Sequence, residues 1–366
     1  MLGDVDLIAA LGAAGVPCTA VVGRGDPARY SRFTSEVLDL PEPVRPEQLL
    51  DLLVAWAENQ STMQAAQGQP EPSKPVLYYN TDRDLLFVSR HRTRLEQHFR
   101  FVIAEAELIE VLADKALFQQ RAVALGLPVP PAKLISWSES RALQPDLRLP
   151  VILKPVTRQR LQQLGTNAKA FRVEDADQLS GLLARWSALD VDAIAQEVIP
   201  GPESAVESYH AYIDLSGAVV AEFTGAKIRT FPREYGHSTA LRISDAGDVA
   251  ELGRHCVEQL RLTGIAKVDF KRDPEGRLHL LEVNPRFSLW HHLGAVAGAN
   301  LPALVHADLT GQPRPAAVAR TGTRWCHLDD RWPAVEDGMS WAAWSAWAVG
   351  CEARSGADWN DPWPFV

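Results

Sequence analysis

Residues 267–286 read KVDFKRDPEGRLHLLEVNPR. Asp273, Pro274, Glu275 and Gly276 are turn formers between two runs that alternate polar with apolar residues, so the stretch is expected to fold as a β-hairpin. With an even-numbered loop, Asp269 shares a face with Glu282 and Asn284, while Val268, Phe270, Leu281 and Val283 point to the other side. Two carboxylates and an amide oxygen, completed by water and phosphate, are a donor set suited to Mg²⁺. Lys267, Lys271 and Arg286 lie on that same face, where they can meet phosphate oxygens or developing negative charge. A half-exposed strand shows the same alternation without any ligand, so the hairpin alone is read equally well as a solvated face.

Lysines elsewhere favour an anion site. Lys154 is embedded in the apolar run VILKPV (151–156), where a buried ammonium needs an anionic partner. Lys115 lies just ahead of the GLPVPP break (126–131), and Lys227 lies in TGAKIRT (224–230). Taken singly, each lysine is more commonly a surface charge.

Towards the N-terminus, DLIAALGAAGVPCTAVVG predicts a helix, a glycine stop at Gly15 and a buried strand from Cys18 to Val22. A short strand around Val37–Leu40, a helix from about Pro46 to Asn59 and a strand KPVLYYN ending at Asn80 continue the alternation, which implies a parallel sheet covered by helices. STMQAAQGQPEPS (61–73) reads as a surface loop. DRDLLFVSRHRTRLEQHF and a stretch near Glu107–Leu125 read as helices, the second stopped by Gly126 and the prolines after it. From Leu134 the pattern changes to short strands around one helix begun by VEDADQ, so the middle of the chain is expected to be mainly antiparallel sheet. The boundaries drawn are 1–105, 106–311 with a lid at about 134–200, and 312–366. That last stretch holds seven of the 11 tryptophans, from Trp325 to Trp363; packing onto its own domain is a commoner role for such residues than a sugar or base platform.

The 366 residues, 46% apolar and 23% charged, suit a globular protein of two or three packed units. A formal charge of -9 argues against nucleic-acid binding through bulk electrostatics. Cys18, Cys256, Cys326 and Cys351 form no CxxC pair and read as reduced, buried thiols. With an acidic start and no apolar run near the roughly 18 residues a membrane span needs, a cytoplasmic enzyme is expected.

The order DK (114–115), GLPVPP, VILKP, QEVIPGPE (196–203), AKVDF (266–270) and LLEVNPR (280–286) resembles the ATP-grasp superfamily from about Asp114 to Gly311. SYHAYID (208–214), AKIR (226–229) and EVNPRFS (282–288) are most similar to D-aspartate ligase and carbamoyl-phosphate-synthetase-like carboxylate-amine ligases. The resemblance implies an α/β and α+β chain: an ATP-grasp fold behind an N-terminal parallel α/β domain. It implies ATP and one or two Mg²⁺ ions, with Mn²⁺ as an alternative. Lys115 and Lys154 would contact the α- and β-phosphates, and Lys227 the γ-phosphate. Gln196, Glu197, Val198 and Ile199 would form the hinge under adenine, and Glu203 would accept the ribose hydroxyls. Asp269, Glu282 and Asn284 would hold metal, while Arg286, with Lys267 and Lys227, would steady the reacting phosphoryl group. A carboxylate and an amine, such as an amino acid or small peptide, would be the substrates, and no nucleic acid or membrane is expected as a partner; a homodimer is an option. Bicarbonate activation and a non-catalytic nucleotide-binding scaffold are the rival readings. The chain departs from the pattern in two places: the loop after Lys154 has Gly165 as its one glycine, leaving Arg158 or Arg160 to substitute, and the strand before the first helix is nearly absent. His291, His292 and the run GAVAGAN (294–300) are read as helix packing at least as readily as substrate contacts.

Overall fold

The computed structural model describes residues 1–40, 43–68, 73–136, 147–156, 170–233, 236–356 and 360–362. Helix α1 (Val5–Gly12) starts where the Asp4 carboxylate accepts the Leu7 N–H at 3.1 Å, and the chain turns at Gly15, whose φ of +74° no side chain adopts readily. Strand β1 (Cys18–Val22) then pairs in parallel with β2 (Thr34–Asp39). The strand expected before α1 is represented by residues 1–2. Met1 O accepts from Val21 N–H, and Leu2 bridges Tyr79 in parallel, so residues 1–2 sit between β1 and the 77–80 segment. Arg100, bridged to Val76, extends the same parallel arrangement. KPVLYYN thus contributes bridges rather than a full strand.

Helix α2 (Pro46–Ala66) runs past Asn59 and takes in 61–66, correcting the loop expected there: Met63, Gln64, Ala65 and Ala66 are good helix formers, and only Gly68, at φ +82°, ends the turn. The next stretch divides at His91 into α3 (Asp82–Arg90) and α4 (Arg92–Leu95). The single helix expected near 107–125 is also two, α5 (Ala106–Ala113) and α6 (Lys115–Ala124). Asp114 leaves helical geometry between them and its carboxylate accepts the N–H groups of Ala116 and Leu117.

Beyond Gly126, β3 (Ala132–Ile135), β4 (Val151–Pro155), β5 (Phe171–Val173), α7 (Ala176–Ser187) and β6 (Ala193–Glu197) build a small layer. Its antiparallel sheet has the order β3-β6-β4-β5, and Leu153, Val173, Leu183 and Trp186 fill the space under α7. Gly165, Arg158 and Arg160 lie outside the described residues. The large sheet follows, from β7 (Val206–Ile213), β8 (Val219–Phe231), β9 (His237–Ser244), α8 (Gly247–Gln259), β10 (Gly264–Arg272) and β11 (Leu278–Asn284). Gly253 lets α8 lie against β7, since a Cβ there would stand 2.2 Å from the Tyr209 ring. Helices α9 (Trp290–Ala297) and α10 (Leu301–Thr310) pack on α1. Gly294 in α9 is a packing glycine, with Phe223 2.6 Å from where its Cβ would be.

The C-terminal stretch adds β12 (Arg324–His327), α11 (Arg331–Glu336), α12 (Trp341–Val349) and β13 (Ala353–Ser355). Strands β12 and β13 complete a sheet of order β11-β10-β7-β8-β9-β12-β13, antiparallel until the parallel β12–β13 pair. Tryptophan packing is divided: Trp325 and Trp344 are buried, whereas Trp332 and Trp341 are 44% and 51% exposed and meet edge to face. Trp359 and Trp363 lie outside the described residues. All four cysteines are buried and free. No helix among the described residues is long and apolar enough to cross a membrane.

Candidate functional site

The β10–β11 hairpin brings Asp269 opposite Glu282 and Lys267 opposite Asn284, but by a different route from the even-loop count. The loop is Asp273–Arg277, five residues, because Arg272 pairs with Leu278. An odd loop would have turned Asp269 away from Glu282. A bulge between the Asp269–Glu282 and Phe270–Leu280 pairs, with Leu281 as the extra residue, restores the register. Leu280 is therefore the residue facing the core, and Leu281, expected there, lines the cleft instead. The loop is held by Asp273, which accepts from Arg277 N–H at 2.8 Å and Arg277 Nε at 2.9 Å and pairs with His279 Nε2 at 2.9 Å.

Between the small and large sheets runs a cleft of about 740 Å³. Lys154, Gln196, Glu197, Val198 and Ile199 line it from the small sheet, Lys115 from the start of α6, and Glu203 from the turn that follows β6. Lys227, Lys271, Asp269, Glu282, Asn284 and Arg286 line it from the opposite side. Among the described residues expected to hold nucleotide or metal or to act in catalysis, Lys267 is not one that lines the cleft. Its ammonium, 13% exposed, donates to Asp269 Oδ2 and lies 3.9 Å from Glu282 Oε1, beside the carboxylates.

Lys154 Nζ donates to Gln196 Oε1 at 3.0 Å across neighbouring strands. Burial lowers its pKa and the Glu282 carboxylate partly offsets this. A half-buried cation with an amide partner gains from any anion brought into the cleft. Lys115 Nζ reaches the Pro155 carbonyl at 3.2 Å, tying α6 to β4. The hinge stretch is partly committed: Glu197 N–H donates to Pro131 O and Val198 N–H to Pro150 O, and the Glu197 carboxylate is held by Arg148 N–H at 2.8 Å.

Burial pushes the Asp269 carboxyl up, yet the Lys267 and Lys227 ammonium groups more than reverse this and leave it lowered. Its oxygens accept from Ser208 Oγ and Lys267 Nζ. Asn284 Nδ2 donates to Glu282 Oε1 at 2.9 Å. Glu282, 59% exposed, and Asn284 present oxygen to the cleft beside the anionic Asp269, which is the donor chemistry Mg²⁺ takes. Lysines along both walls make the cleft fit for a polyanion held with a hard cation.

Arg286 is steered from the first unit, a contact that chain order alone does not reveal. Its Nε donates to Asp82 Oδ1 at 2.5 Å and its Nη1 to the Asn80 carbonyl at 3.0 Å. In the sequence Asp82 reads as an ordinary first-turn acid of α3. The C-terminal stretch supplies Pro333 and Asp337 to the cleft, and Arg229 lines it while clamped by Asp330. The one hint in the sequence is the alternation of AKIRT, which predicts Lys227 and Arg229 on one face; in the structure β8 is irregular between them and Ile228 lines the cleft as well. His291 and His292 are buried in α9. His291 Nδ1 lies 2.9 Å from Ser288 O and His292 Nδ1 3.0 Å from Asp6 Oδ1, and neither lines the cleft.

A family model described as "ATP-grasp in the biosynthetic pathway with Ter operon" matches residues 191–328. A D-alanine--D-alanine ligase of Stutzerimonas stutzeri (strain A1501) is 28% identical over 194 residues; the match covers 50% of this chain and 57% of the relative, so the chain spans under two thirds of that protein. Among solved structures, a biotin carboxylase–βγ-ATP complex from Campylobacter jejuni superposes with a TM-score of 0.65 at 15% identity, covering 88% of this chain and 73% of the other. An L-amino acid ligase from Bacillus licheniformis gives a TM-score of 0.58 at 16% identity, covering 84% and 71%.

Proposed function

We propose that the chain is an ATP-grasp enzyme and that it joins a carboxylate to an amine at the expense of ATP, through an acyl phosphate, a reading supported by the family model over residues 191–328 and by the fold shared with the solved biotin carboxylase and L-amino acid ligase. The reading is carried by one observation: lysines from the small sheet and from α6 share a cleft with the oxygen donors of β10 and β11. The triphosphate lies between the sheets, with Lys115 and Lys154 on its α- and β-phosphates and Lys227 towards the γ-phosphate. Since Glu197 and Val198 have committed their N–H groups, reading of the adenine edge falls to Ile199 and to carbonyl oxygens of the hinge. Glu203 accepts the ribose hydroxyls. Asp269, Glu282 and Asn284 hold Mg²⁺, which when bound neutralises phosphate charge. Arg286, oriented by Asp82, steadies the transferring phosphoryl group, and Lys267 acts one step back by keeping Asp269 ionised. Attack by the amine on the activated carbonyl releases phosphate and leaves an amide.

An acyl phosphate is an electrophile, so hydroxylamine should replace the amine and give one hydroxamate per ADP once the right carboxylate is supplied from a panel of amino acids and small peptides. A phosphorylated product that resists hydroxylamine would instead mean kinase-like transfer. ADP release that requires bicarbonate and no other carboxylate would mean carboxyphosphate chemistry.

Phosphate contact by Lys154 has its own test. Losing one charge-assisted contact costs about 1.5–3 kcal/mol, so Lys154→Met should weaken ATP roughly 10- to 100-fold in calorimetry. Adenosine affinity should barely change. Equal losses for both ligands would make the lysine purely structural.

A further inference from the structure

His237 is the first residue of β9, His327 the last of β12, and Asp329 lies in the single turn Leu328–Asp330 that follows. Because β9 and β12 are antiparallel neighbours, with Ala240 opposite Cys326, the two histidines meet at one end of the sheet. Their rings stand 6.2 Å apart at 89°, and His327 Nδ1 is 3.4 Å from Asp329 Oδ2. One ligand atom from each of the three residues lies within 4.8 Å of the others. All three side chains are exposed or half-buried, so an ion reaches them without unfolding.

We propose that His237, His327 and Asp329 form a binding site for a borderline divalent cation of the Zn²⁺ type, separate from the nucleotide cleft. Two imidazoles and one carboxylate suit such an ion, whereas Mg²⁺ and Ca²⁺ prefer oxygen alone. Bonds of about 2.0–2.2 Å in a tetrahedral shell put neighbouring ligand atoms roughly 3.3–3.5 Å apart, the spacing His327 and Asp329 already have. His327 Nδ1 now accepts the Asp329 N–H at 3.1 Å, a bond that coordination through Nδ1 would replace. Water fills the remaining coordination.

The placement gives the ion a mechanical role. Arg233 and Gly236, just before His237, line the cleft from the β8–β9 connection, and Pro333 and Asp337 line it from the C-terminal stretch that Asp329 leads into. An ion shared by His237, His327 and Asp329 ties these two parts of the wall together. The inference does not depend on which carboxylate the cleft accepts.

The experiment uses the full chain stripped with a chelator and held in excess MgCl₂, which occupies the hard-oxygen donors. Zn²⁺ is titrated against a chromophoric chelator, and Co²⁺ is added separately to read coordination from its visible spectrum. One Zn²⁺ per chain is expected, with a tetrahedral Co²⁺ spectrum and a raised unfolding midpoint. His237→Gln and Asp329→Asn should each weaken uptake at least about tenfold and abolish the midpoint shift, while Glu282→Gln keeps both. Both ligand substitutions are conservative and at accessible positions, and circular dichroism checks that each variant is folded. Undiminished uptake in His237→Gln and Asp329→Asn, loss of uptake in Glu282→Gln, or no uptake by the parent chain would each overturn the site.

Discussion

Glu282→Gln is expected to lower carboxylate-dependent ADP release at least about 100-fold, equivalent to roughly 2.7 kcal/mol of barrier, while the protein stays folded. The carboxylate and the amide differ by one charge and almost nothing in shape. If Glu282 holds the cation that neutralises the phosphates, that charge is the property that matters. Structural losses are small: the side chain is 59% exposed, its separation from Lys267 is 3.9 Å, and Gln retains an acceptor for Asn284 Nδ2. An exposed ion pair of this kind contributes at most about 1 kcal/mol. Coupled-enzyme detection of ADP beside a urea titration separates the two effects. Turnover near that of the parent chain would remove Glu282 from the metal site and with it the reading of the hairpin.

The largest effect on stability is expected at Asp330, which has no exposed side-chain surface. Its carboxylate takes Arg229 Nε at 2.9 Å and Nη2 at 2.6 Å, Thr239 Oγ1 at 2.9 Å and Trp344 Nε1 at 3.1 Å. Asp330→Ala leaves a guanidinium that is 10% exposed, a hydroxyl and an indole N–H without their acceptor. Breaking a buried pair in this way costs about 3–5 kcal/mol. The Trp347 ring under Arg229, 4.3 Å from its centroid, cannot replace it, since such a contact is worth about 0.5–2 kcal/mol. A urea midpoint should report the loss, and adding Arg229→Met should recover part of it by removing the stranded charge. A loss under about 1 kcal/mol, or no recovery in the double variant, would show that the network does not hold the C-terminal stretch to β8.

Residues whose role is set by neighbours in the chain were legible in advance. The α1–Gly15–β1 unit follows from local periodicity and one left-handed glycine, and the β10–β11 hairpin follows from its turn formers and alternation. Helix α2 runs past Asn59 because Met63, Gln64, Ala65 and Ala66 carry a helix propensity that the polar character of 61–66 masks. Burial of Trp325 and Trp344, against exposure of Trp332 and Trp341, had no local sign at all, because each depends on which surface the terminal stretch meets.

The sequence by itself determined the alternation that puts Glu282 with Asn284, since side-chain direction in a regular strand repeats every two residues and no bulge falls between them. Tertiary structure alone decided that Asp269 joins them. A five-residue loop turns it away and the bulge at Leu281 turns it back, and a bulge is stabilised by packing and cross-strand bonds that no local pattern encodes. Tertiary structure alone also joined Arg286 to Asp82 and Arg229 to Asp330, pairs 204 and 101 residues apart. Contacts at such separations are selected by the complete arrangement of sheets and helices, because only the packed chain offsets the entropy of closing loops that long.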